Sequence, residues 1–73
     1  MKTYYLNRDR SKNPNYNNEV HSEDCRLLAT ISRYNLVVLG RFNNGVEAVN
    51  YAVRNGYTHA DGCPICSPEA HRK

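Results

Sequence analysis

The chain has no tryptophan, one phenylalanine, one methionine and only three cysteines, and no apolar run in it approaches the ~20 residues of a membrane span. Each shortage excludes something. Without tryptophan, and with a single phenylalanine, the core must come from a modest aliphatic set: Leu6, Val20, Leu27, Leu28, Ile31, Leu36, Val37, Val38, Leu39, Val46, Val49, Val53 and Ile65. Tyr4, Tyr5, Tyr51 and Tyr57 read as half-buried additions with their hydroxyls at the surface. Seventy-three residues make one domain at most, spanning 1–73. A chain of that size rarely builds a core worth more than about 3–5 kcal/mol, so it needs a disulfide or metal staple.

Cys25, Cys63 and Cys66 are odd in number, so they cannot all pair within one chain. Met1 to Tyr5 lacks the apolar run of a signal peptide. The expectation is therefore a reducing, cytoplasmic setting, where clustered cysteines are more often metal ligands or catalytic groups than bridges. The formal charge of +3 is too small a surplus to imply nucleic acid by itself.

The pattern along the chain predicts an α+β domain with a two- to three-stranded antiparallel sheet. Thr3 to Leu6 reads as a strand, 7–18 as a long polar turn around Asn13-Pro14-Asn15, and Glu19-Val20-His21 as a short return strand. Ser22, followed by Glu23 and Asp24, predicts an N-cap and a short helix over about 22–29. Leu36-Val37-Val38-Leu39 reads as a buried central strand. The main helix is expected over about 44–55: Asn44 caps it, Glu47 completes a capping box, and Val46, Val49 and Val53 form its apolar stripe. Gly56 stands where a left-handed residue ends a helix. The segment 67–73 reads as a flexible polar tail.

The chemistry-bearing residues sit at both ends of this order. His21-x-x-x-Cys25 places two ligand types one helical turn apart. Cys63-Pro64-Ile65-Cys66 is the two-residue spacing that lets two thiolates close on one ion, with Asp61-Gly62 before it as a tight turn. Three sulfurs and one imidazole form a tetrahedral zinc set. With all four positions filled from protein, no place is left for a catalytic water, and the site reads as structural, a C-terminal knuckle rather than an enzyme centre. His71, after Cys66, and His59, before Cys63, compete with His21 for the fourth position. A buried free thiol at Cys25 is the bland alternative. A redox dithiol at Cys63 and Cys66 is a further one, but Ser67 and Pro68 follow at once where such a motif would open a helix.

With Tyr4-Tyr5-Leu6-Asn7, His21 with Cys25, and Asp61-Gly62-Cys63 with Cys66 in view, the chain resembles a group of small bacterial proteins sharing an H-x3-C and a late D-G-C-x2-C motif. It is distantly similar to the metal-binding modules of the Ada DNA-repair type and to those at the ends of some secreted nucleases. The resemblance implies a zinc site on an α+β fold and no particular activity.

Two functions compete from these residues. One is a zinc-stabilised module that binds a protein partner. The other is nucleic-acid binding through Arg8, Arg10 and Lys12, set near Tyr4, Tyr5 and Tyr16 and extended by Arg26, Arg33, Arg41 and Arg54. Solvated surface arginines are the simpler account of that basic set.

Overall fold

The structure, a computed structural model, describes residues 1–11, 13 and 15–71. Its elements run β1 (Lys2–Asn7), β2 (Asn18–Ser22), two 3-10 turns (Arg26–Thr30 and Arg33–Asn35), β3 (Leu36–Phe42), α1 (Gly45–Arg54), β4 (Ala60–Gly62) and a last 3-10 turn (Pro68–Ala70). The fold is α+β, with one more strand than expected and a mixed sheet rather than an antiparallel one. The strand order is β3-β1-β2-β4. β1 runs antiparallel to both β2 and β3, while β2 and β4 are parallel. Among the described residues no helix is long and apolar enough to cross a membrane.

β1 alternates as a half-buried strand should. Tyr4 and Leu6 are buried and Thr3 and Tyr5 partly so. Tyr4, Leu6, Val20 and Leu39 form the sheet side of the core, and Ala48, Val49 and Ala52 of α1 cover it, with Ala70 at one end. Asn44 caps α1 by accepting from the Glu47 N–H at 3.0 Å. Glu47 Oε1 reaches back to the Asn43 N–H at 3.2 Å, one residue beyond the expected capping box. Gly56 follows the helix at φ +102°.

Several expectations are corrected. Leu36 to Leu39 lie on an edge strand, not a central one, and Val38 is exposed. Between Tyr4 and Tyr5 the β1–β3 register jumps from Gly40 to Val38, a bulge that leaves Leu39 unopposed and turned into the core. Gly40 sits beside it at φ +125°, a conformation that side chains rarely adopt. The valine stripe of α1 is also displaced. Val46 and Val53 are exposed, and the buried face is Gly45, Ala48, Val49 and Ala52. Gly45 packs closely against the segment after β4: a Cβ there would come within 2.8 Å of the Ser67 Cβ.

No α-helix forms over 22–29. β2 continues through Ser22, and the 3-10 turn begins only at Arg26. Asp61-Gly62 is not a tight turn but the body of β4. The expected tail is packed as far as Ala70: Ser67 and Ala70 are buried, and the Ser67 N–H donates to the Cys63 carbonyl at 2.8 Å. Arg72 and Lys73, the rest of that segment, lie outside the described residues.

Candidate metal centre

The parallel pairing of β2 with β4 builds the site. Its register sets Val20 against Gly62, so His21, the next residue of β2, and Cys63, the first residue after β4, stand side by side. The Cys63 N–H donates to the Val20 carbonyl at 3.0 Å and fixes this junction. Val20 faces the apolar core while His21, one residue on, faces the other way, and both are fully buried. After His21 the chain turns at once: the Cys25 N–H donates to the Ser22 carbonyl at 3.0 Å, which folds Cys25 back over the imidazole. After Cys63 a second turn brings Cys66 round to meet Ser22, whose N–H donates to the Cys66 sulfur at 3.4 Å. The one-helical-turn reason for pairing His21 with Cys25 is therefore wrong, although the pair does meet. A strand end and a tight turn do the work expected of a helix.

One ligand atom from each of His21, Cys25, Cys63 and Cys66 lies within 4.8 Å of every other. His21 Nδ1 is 3.6 Å from the Cys25 sulfur and 3.8 Å from the Cys66 sulfur. A tetrahedral zinc ion with Zn–S near 2.3 Å and Zn–N near 2.0–2.1 Å separates nitrogen from sulfur by about 3.6 Å. The two distances from His21 Nδ1 lie close to that spacing, and the three cysteines form no disulfide. Donor types and separations fit a metal ion such as zinc.

The electrostatics explain why the cluster suits a cation. Burial pushes the Cys25 thiol up to about 12, helped by its hydrogen bond to Cys66. Burial also raises the Cys63 thiol. Burial acts upward on Cys66 too, but hydrogen bonds from Cys25, the Ser22 N–H, Ser67 and Cys63 outweigh it and hold that thiol below its ordinary value. Burial lowers the His21 pKa, which keeps the imidazole neutral, the form that binds metal. One sulfur is thus prepared for negative charge while two resist it. A bound dication reverses that resistance by taking the place of their protons.

The far edge of the His21 ring tells a second story. Among the described residues Nε2 has no hydrogen-bond partner, although it is buried. An orphaned buried N–H of this kind costs about 1–3 kcal/mol. Glu19 Oε1 is the closest acidic oxygen, at 3.7 Å. The sequence reading missed Glu19. The signal was there: Glu19 lies two residues before His21 on a strand, and that spacing shares a face. Both residues line a cavity of about 360 Å³, together with Asn17, Leu27 and Ile31.

The competing histidines are elsewhere. His71 Nδ1 donates to the Gly62 carbonyl at 3.0 Å and lies 3.4 Å from Asp61 Oδ2. His59 is exposed, and its carbonyl accepts from the Asn18 N–H. Of the basic candidates, Arg8 donates to the Tyr34 carbonyl and Arg10 donates through Nε to the Tyr16 carbonyl. Lys12 lies outside the described residues. No protein-family model, curated protein or solved structure matches this chain.

Proposed function

We propose that this chain is a structural zinc-binding domain of the cytoplasm that serves as a protein-interaction module. The observation that carries it is the convergence of four donor atoms, one nitrogen and three sulfurs, from two distant parts of the chain to within 4.8 Å of one another. His21, Cys25, Cys63 and Cys66 would fill all four positions, leaving none for a catalytic water, so the ion would staple rather than react. The likeness to small bacterial proteins with the H-x3-C and D-G-C-x2-C motifs would make this centre a feature of that group. The nucleic-acid alternative draws on Arg8, Arg10 and Lys12. Arg8 and Arg10 already bond backbone carbonyls of their own chain, which favours the interaction reading.

Mass measurement under native conditions tests the centre. One zinc per chain is expected, with loss of the folded state when a strong chelator removes it, because structural zinc supplies about 10–16 kcal/mol of apparent folding energy in small domains. A metal-free chain that stays folded would overturn the reading. Titration with single- and double-stranded nucleic acid at two salt concentrations separates the alternatives: salt-dependent binding would favour the basic-patch function.

A further inference from the structure

The imidazole of His21 has two nitrogens, and the fold treats them differently. Nδ1 faces the Cys25 and Cys66 sulfurs at 3.6 and 3.8 Å. Nε2, on the opposite edge, is buried without a partner among the described residues. A ring that gives Nδ1 to a metal must carry its proton on Nε2, and a buried N–H needs an acceptor. Glu19 Oε1 stands 3.7 Å from that nitrogen, beyond a hydrogen bond but within reach of a small side-chain rotation. The strand places the two side chains on one face, and the cavity beside both leaves room for the carboxylate to swing.

We propose that Glu19 is the positioning residue of the centre: it accepts the His21 Nε2–H and so commits Nδ1 to the metal. This rests on the reading that the cluster binds zinc. Histidine ligands commonly donate their second nitrogen to a carboxylate in this way, which fixes the tautomer and ring orientation and makes the ligating nitrogen more basic. Glu19 touches no metal in this arrangement. It acts only through His21.

The test uses the full chain loaded with zinc. Competition against a coloured chelator gives zinc affinity for wild type, Glu19→Gln and Glu19→Ala. Glu19→Ala is expected to lose about 10–100-fold in affinity. Glu19→Gln, whose amide oxygen still accepts, is expected to lose less. Loading nitrogen-labelled protein with a spin-active cadmium isotope provides a readout that a packing role would not move. In wild type, cadmium couples to Nδ1 and the proton resides on Nε2. In Glu19→Ala, the Nε2 proton should exchange much faster with solvent. If Glu19→Ala does not fold even in excess metal, the wild-type spectrum and Glu19→Gln decide. Coupling through Nε2, or a wild-type affinity and proton exchange in the variants, overturns the proposal while leaving the zinc site standing. A wild-type chain that takes up no metal overturns both.

Discussion

The two ends of the strand pair β2–β4 are held by different physics. On the α1 side, Tyr4, Leu6, Val20 and Leu39 meet Ala48, Val49 and Ala52, a thin apolar layer in which the helix contributes mainly small side chains. Away from that layer, His21, Cys25 and Cys63 are buried together around the candidate metal centre. Of the six largest fully buried side chains, Leu6 and Val20 belong to the apolar layer, and His21 and Cys63 to the donor cluster. The first end gains stability by leaving water, at roughly 25 cal/mol per Å² of apolar surface. The second buries an imidazole and two sulfurs whose thiolate forms prefer water, so ionising them inside the fold would need a compensating cation. The comparison teaches that this small domain divides its fully buried side chains between a thin apolar layer and a cluster of metal-donor groups.

The sharpest way to break the comparison is to damage each end in turn. Leu6→Ala should cost about 2–5 kcal/mol, as large-to-small core changes do, and the zinc-loaded chain should still fold. Cys63→Ser removes a fully buried sulfur from the centre and should leave the chain largely unfolded, by circular dichroism and by collapse of amide dispersion. His71→Ala, which loses a hydrogen bond to the Gly62 carbonyl and a partly exposed contact with Asp61, should be mild by the same measures. A Cys63→Ser chain more stable than Leu6→Ala would show that the apolar layer, not the cysteine end, carries the fold.

What the sequence made legible follows the same division between local and distant. β1, α1 with its Asn44 cap, and the four donor residues each announce themselves within a few residues, through alternation, capping and spacing. The short helix over 22–29 failed because its apparent start signals are used across the sheet. Glu23 accepts from the Thr3 N–H at 2.5 Å, and Asp24 pairs with Lys2 at 2.8 Å and accepts from the Ser22 hydroxyl. The acidic residues expected in the first turn of a helix instead tie β1 to the end of β2. β4 was illegible because Ala60-Asp61-Gly62 is turn-like in composition, and it becomes a strand only by parallel pairing with a partner forty residues away. Edge and central strands cannot be ranked from an apolar run alone, which is why β3 was misplaced.

A smaller change probes the joint where the two ends meet. Gly62 lies on β4 immediately before Cys63, and a Cβ there would come within 2.6 Å of both the Ala70 Cβ and the Ser67 carbonyl oxygen. Neither is a flexible side-chain tip, so something must move. Gly62→Ala should cost about 1–3 kcal/mol, the range for overpacking. Because the displaced segment closes the turn that carries Cys66, zinc affinity should fall along with thermal stability. If stability falls but zinc affinity does not, the turn and the core are more independent than their shared strand suggests.

The least effect is expected from the surface pair Lys2–Asp24, and its pH behaviour sharpens the contrast most cleanly. The Lys2 ammonium and the Ser22 hydroxyl hold the Asp24 carboxyl down from 3.8 to about 2. A carboxylate whose pKa is lowered by folding stabilises fully above its unfolded value; that contribution is lost only as pH falls from there through the folded value. The Asp24 contribution is therefore intact at every pH above 3.8 and disappears toward about 2. The cysteine end is also lost in acid, but at higher pH: with a metal bound, protons would compete with it for the thiolates and the imidazole and release it. Acid unfolding should start above pH 3.8, its midpoint should drop when zinc concentration is raised, and Asp24→Asn should leave that midpoint where it is. A midpoint that follows Asp24→Asn and ignores zinc would assign acid sensitivity to the surface pair, and the contrast between the two ends would lose its electrostatic half.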